Sequence, residues 1–128
     1  MLCVKTKVLP SKIHGLGLFA DQKILKGTIV WRFVKGFDIK IKKKRLITLP
    51  KIAQEIILRY CYFDGKKEEY IVCLDDARFF NHSKSPNLDE TPPTKTVARR
   101  DISKGEELTI NYYEFDSDAK RKLTHTFN

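Results

Sequence analysis

The sequence is poor in the residues that build a metal centre. Its three cysteines, Cys3, Cys61 and Cys73, are an odd number and stand in no CxxC or Cys/His spacing that closes around zinc. They are expected to be free, largely buried thiols in a reducing compartment. Long apolar runs are missing too. Nothing approaches the roughly 18 consecutive apolar residues of a membrane helix, and Lys5 and Lys7 interrupt the opening MLCVKTKVLP before a signal-peptide core forms. The expectation is an intracellular protein. Acidic residues are outnumbered, 16 Asp+Glu against 25 Lys+Arg, and the net charge of +9 suits an acidic partner or nucleic acid while also serving solubility. The densest basic stretch, KIKKKR, carries Lys40, Lys42, Lys43, Lys44 and Arg45 but no aromatic to stack on a base. It reads as a solvated loop or a lysine-protected edge strand, with contact to phosphate as the other role.

What is present is a core. At 41% hydrophobic, with 8 Phe, 5 Tyr and 1 Trp, 128 residues can bury one modest interior and have no room for a second. A single domain over 1–128 is expected. Most of it reads as strand. CVKTKVL alternates over residues 3 to 9; HGLGLFA places Gly15 and Gly17 at a tight turn entering a second strand; KILKGTIVWRFV has a Lys26–Gly27 turn before a β-branched and aromatic run from Thr28 to Val34. LPKIAQEIILRY is the best helix, with Pro50 in its first turn and Ile52, Ile56, Ile57 and Tyr60 as a core-facing stripe. YCYF and EEYIVCL flank the turn DGKK as a hairpin. TPPT is a proline-broken loop, followed by a strand at 94 to 99, a Lys104–Gly105 turn and a strand from Glu107 to Tyr112. The tail DSDAKRKLTHTFN is a short helix or a frayed end. The class is mostly β with a small helical insert.

Three stretches stand in a fixed order: HGLGLFA, RFFNHSKSPNL and DISKGEELTINY. Together they resemble the SET-domain protein-lysine N-methyltransferases over roughly residues 4 to 115, with 116–128 as a lid or tail. The resemblance implies a β-clip-like fold of several small curved sheets, with the NHS segment and the GEELTINY strand threading into a pseudoknot. It also implies S-adenosylmethionine on one face, a protein substrate such as a histone tail on the other, and a narrow lysine channel between them.

Residue by residue, the resemblance makes Tyr112 the central catalytic tyrosine, with Tyr60 or Tyr62 as the channel's second wall. Those two lie two apart and so share one face of a strand, with core packing as the competing role. Asn81 carries a donor and an acceptor for the amino-acid end of the cofactor, and the backbone at His82 meets the adenine edge. Phe79 and Phe80 anchor that shelf. Gly15, Leu16 and Gly17 allow close backbone approach to the cofactor. Glu106 and Glu107 are neighbours on a strand and face opposite ways, so they serve a turn and ion pairs and not a paired-carboxylate site.

Two departures from the family pattern carry consequences. Lys84 stands where many relatives place a zinc-binding cysteine, and residues 116–128 have no cysteine, so no zinc-bearing element after the motif is expected. Tyr113, Phe115 or Phe127, or a second copy of the chain in a homodimer, is expected to cover the adenine instead. Ile110 stands where relatives carry a tyrosine or phenylalanine that limits methylation, which implies di- or trimethylation. The rival readings are an inactive SET-like binding module and a small basic nucleic-acid-binding β-domain. Location is expected to be the cytoplasm, or chromatin if the substrate is a histone.

Overall fold

The computed structural model describes residues 1–91 and 95–125. Its strands are β1 (Thr6–Pro10), β2 (Leu16–Ala20), β3 (Ile29–Arg32), β4 (Ile39–Lys42), β5 (Tyr62–Asp64), β6 (Glu69–Val72), β7 (Asn81–His82), β8 (Leu88–Thr91), β9 (Lys95–Ala98) and β10 (Thr109–Ile110). Three helices accompany them: α1 (Lys43–Leu46), α2 (Lys51–Tyr60) and α3 (Ala119–His125). The mostly β class with few helices is as the sequence implies.

The strands form four small sheets, because each is too short to support a large one. β1 pairs with β2, β3 with β9 and β9 with β8, β4 with β6 and β6 with β5, all antiparallel. The exception is β7 with β10, a parallel pair joining Asn81 to Thr109 and Ile110 to His82. That long-range parallel ladder is the pairing a pseudoknot requires. Asn87 secures it, accepting from the Thr109 backbone N–H at 2.9 Å and donating to the Glu107 carbonyl at 2.8 Å.

The main core gathers residues from nearly every sheet: Leu18, Ile24, Val30, Trp31, Phe80, Leu88, Ile102, Leu108 and Ile110 are all buried. Phe79 packs against them, so the two phenylalanines do anchor the NHS segment. A second cluster, Leu46, Cys61 and Tyr70, sits beneath α2. At about 1.5–3 kcal/mol for each large side chain removed from water, the first cluster is the fold's chief support.

Several expectations change. The first apolar run splits: Leu2 and Cys3 pair with Trp31 and Val30, and the regular strand begins only at Thr6. In α2 only part of the stripe, Ile57 and Tyr60, faces inward. Ile52 and Ile56 are 65% and 53% exposed, while Ile57 and Leu58 pack on the second cluster. Tyr60 ends α2 and Tyr62 opens β5, so they do not share a strand face; the chain turns at buried Cys61 between them. Cys3 is exposed, so only Cys61 and Cys73 are covered. The turns at Gly27 and Gly105 hold, with φ of 85° and 94° that favour glycine.

The basic run is an edge strand leading into α1. Lys40 and Lys42 lie 3.4 and 3.1 Å from the buried carboxylate of Glu69. Burial opposes that charge, but the two lysine hydrogen bonds outweigh it and hold the carboxyl below its usual range. No helix among the described residues is long and apolar enough to cross a membrane.

Candidate functional site

β7 and β10 deliver two neighbouring features, a polar shelf at Asn81 and His82 and an aromatic cleft around Tyr112.

At the shelf, the Asn81 side-chain amide donates to the carbonyls of His14 and Leu16, both at 3.1 Å, and to Glu107 at 2.8 Å. Three acceptors around one nitrogen fix its orientation and leave Oδ1 with no donor among the described residues. Glu107 is held in turn by the Ser11 hydroxyl at 2.8 Å. This ties the glycine turn to the pseudoknot. Gly17 leaves room for it: a Cβ there would stand 2.2 Å from Glu107 Oε1 and displace that side chain, so the close approach at Gly17 is made by the protein's own carboxylate. Gly15, at φ 46°, borders open space, and Leu16 is exposed beside it. Glu106 points the other way, to Arg100 at 2.9 Å and the Ser103 N–H at 2.5 Å, so the two adjacent glutamates do divide into separate roles.

His82 accepts the Tyr112 backbone N–H through Nδ1 at 3.2 Å. Burial, with Lys84 nearby, lowers its pKa, so the ring is neutral with the proton on Nε2. Its imidazole locks the turn that carries Tyr112. That turn is a 3-10 turn over Tyr112–Glu114, and the last strand stops at Ile110, shorter than GEELTINY suggests. The exposed ring of Tyr113 lies edge-on to His82, centroids 5.6 Å apart.

The cleft holds about 550 Å³ of empty space, counting its open mouth, and its lining includes Tyr60, Tyr62, Phe80, Ile110, Tyr112 and Phe115. Phe115 meets Tyr62 edge-on at 5.1 Å and Tyr112 at 6.1 Å. The structure therefore brings Tyr60, Tyr62 and Tyr112 together although two of them left their expected strand, and it seats Phe115 in the cleft wall, not over the shelf. Tyr112 donates its hydroxyl hydrogen to the Phe80 carbonyl. Burial pushes both the Tyr112 and the Tyr62 phenol well above the usual range, so both stay neutral. Cys73 also lines the cleft, and burial raises its thiol far enough to make it inert. No group of His, Cys, Asp and Glu suited to a metal occurs among the described residues. Phe127 lies outside them.

Sequence reading missed Trp31, Glu90, Thr96 and the ion pair of Asp116 with Lys122 in this lining. For Glu90, a strand's period of two gives it the same face as Leu88, but only the fold shows that this face is buried.

The SET domain family profile matches residues 15–113. The chain is 29% identical over 127 residues to human histone-lysine N-methyltransferase 2D, covering 90% of this chain and 2% of that protein. It is 31% identical over 118 residues to an H3 lysine-36 specific histone-lysine N-methyltransferase of Schizosaccharomyces pombe, covering 84% of this chain and 14% of the relative. It thus spans a small part of these relatives' length. Among solved structures, ctPRC2 in an autoinhibited conformation bound to S-adenosylmethionine superposes with a TM-score of 0.68 at 22% identity, covering 95% of this chain and 17% of the other.

Proposed function

The chain belongs to the SET-domain family, and from that premise we propose that it is a protein-lysine N-methyltransferase using S-adenosylmethionine. The observation that carries the reading is the junction of shelf and cleft: Tyr112, in the cleft, donates its backbone N–H to His82, on the shelf.

The residues present fit the cofactor. Asn81 spends its amide hydrogens on the protein, so what it offers a ligand is the Oδ1 acceptor, which suits the cofactor's ammonium and not its carboxylate. Gly15 and Leu16 border the same shelf, His82 contributes its backbone, and Tyr113 supplies the aromatic cover over adenine. When bound there, S-adenosylmethionine supplies an electrophilic methyl group on a sulfonium.

The protein's part is to position and dry the acceptor amine. A lysine with a pKa of about 10.4 is almost wholly charged in neutral water. Entering a cleft walled by Tyr60, Tyr62, Phe115 and Tyr112 strips its hydration and disfavours the ammonium. Tyr112 gives its hydrogen to Phe80, so the lone pairs of its oxygen remain to accept an N–H and aim the amine. Being neutral at physiological pH, Tyr112 orients the amine and takes no proton from it.

The substrate is a lysine on a histone or another protein, reached in the cytoplasm or at chromatin. A chain of net charge +9 repels basic tails, so an acidic patch on the substrate or bridging nucleic acid favours docking. Ile110 offers no hydroxyl to hold a water or restrain the amine, which favours di- and trimethyl products.

The test is methyl transfer from labelled S-adenosylmethionine to core histones and soluble cell proteins, with products read by mass spectrometry. Di- and trimethyl-lysine are expected from the wild type, and at least a 100-fold loss from Tyr112→Phe. Transfer that stops at monomethyl under enzyme excess sinks the product assignment. A wild type that binds the cofactor but modifies nothing points to an inactive binding module.

A further inference from the structure

The cleft contains a carboxyl group that positioning alone does not need. Glu90, on β8, lines the same cleft as Tyr62, Ile110 and Tyr112. Its one hydrogen bond among the described residues comes from the Thr96 hydroxyl to Oε2 at 2.8 Å, across the β8–β9 ladder. The other oxygen, Oε1, has no donor among the described residues. The cleft's second carboxylate is already committed: Asp116 pairs with Lys122 at 2.5 Å and accepts the backbone N–H groups of Phe63 and Asp118. Another group nearby also lacks a partner among the described residues: the indole N–H of Trp31, buried on β3 beside Thr96, has no acceptor there. A cleft with a buried indole N–H lacking an acceptor and, on partly buried Glu90, a carboxylate oxygen that accepts from no described donor can receive a polar guest.

We infer that Glu90 is the group in the cleft that receives the substrate ammonium and takes its proton. This rests on the methyltransferase reading and supplies what that reading lacks, a base. The Glu90 carboxylate accepts a proton from Lys–NH3⁺: one N–H bond breaks, one O–H bond forms, and the nitrogen recovers its lone pair. That lone pair forms the N–C bond to the methyl group as the S–C bond breaks and its electrons remain on sulfur. Glutamic acid then returns the proton to water. Each further methylation repeats the cycle while an N–H remains, so the base is compatible with trimethyl product.

The surroundings suit a base working near neutrality. Burial raises the Glu90 carboxyl to about 7, the Thr96 hydrogen bond opposes the rise and Glu114 adds to it. From the other packed elements come the neutral Tyr62 and Tyr112, the inert Cys73, the Asp116–Lys122 pair, and exposed Arg59 and Arg78. Asp38, which also acts on Tyr62, is neutralised by the N-terminal ammonium at 2.8 Å.

The experiment measures kcat/KM against pH from 5.5 to 9.5 on the best acceptor among core histones, for wild type, Glu90→Gln and Glu90→Asp. In parallel, the Glu90 carboxyl is titrated by carbon-13 NMR in the free protein. The wild type is expected to gain activity through an inflection near 7, matched by the carboxyl titration. Glu90→Gln, which can still accept from Thr96, should lose about 100-fold at pH 7 and show no such inflection, the gap closing as the lysine deprotonates unaided. Glu90→Asp should keep the inflection. A Glu90→Gln profile parallel to the wild type at every pH, or a carboxyl that titrates near 4, overturns the assignment while leaving the methyltransferase reading standing. A wild type that neither binds S-adenosylmethionine nor transfers methyl overturns both.

Discussion

At the scale of single residues, a site that holds its groups ready works against stability. Glu90 titrates near 7 in the fold and near 4.3 in an unfolded chain, so the folded form binds the extra proton between those values. Whatever stability the buried acid retains at low pH is lost as pH rises through 7. Glu90→Gln removes that loss, and at pH 8.5 it should raise stability by about 3 kcal/mol over the wild type, with little difference at pH 4. Chemical denaturation at the two pH values reads this directly; equal shifts at both contradict it. Asn81 and Tyr112 were legible because a polar triplet behind two phenylalanines and a tyrosine closing GEELTINY occur together in this family. Glu107 and Glu90 were not. Each acts through contacts to residues distant in sequence, Glu107 to Ser11 and Asn81 and Glu90 into the cleft, and no local pattern reports such contacts.

At the scale of elements, turns and hairpins were read well because their chemistry is local: lysine-glycine and DGKK punctuation fixes where the chain reverses. Destinations were read less well. In α2 the helical period is real, but the stripe through Ile52 and Ile56 faces outward and the packed face is made by Ile57 and Leu58. A period gives the element, and only the tertiary fold says which side is covered. Substitution separates the two. Ile56→Lys should change unfolding free energy by less than about 0.5 kcal/mol, whereas Leu18→Ala, wholly buried on β2, should cost about 2–5 kcal/mol. Thermal denaturation of both variants checks the contrast. The separation of Tyr60 from Tyr62 is the same lesson: a helix end and a strand start meet at Cys61, and the two rings still reach one cleft.

At the scale of the whole molecule, the site exists only where small sheets meet. The parallel pairing of β7 with β10 sets the shelf beside the cleft, and Glu107 ties the glycine turn to both. Cofactor binding should therefore act on the fold as a unit, raising the melting temperature in a concentration-dependent way, with about 2.7 kcal/mol of stabilisation at 100 times the Kd. The most direct measurement is calorimetric titration of S-adenosylmethionine into wild type, Asn81→Ala and Tyr112→Phe. The structure predicts saturable one-site binding by the wild type, at least tenfold weaker binding by Asn81→Ala, and binding retained in Tyr112→Phe. No binding by the wild type, or undiminished binding by Asn81→Ala, would contradict the assignment of the shelf at its centre.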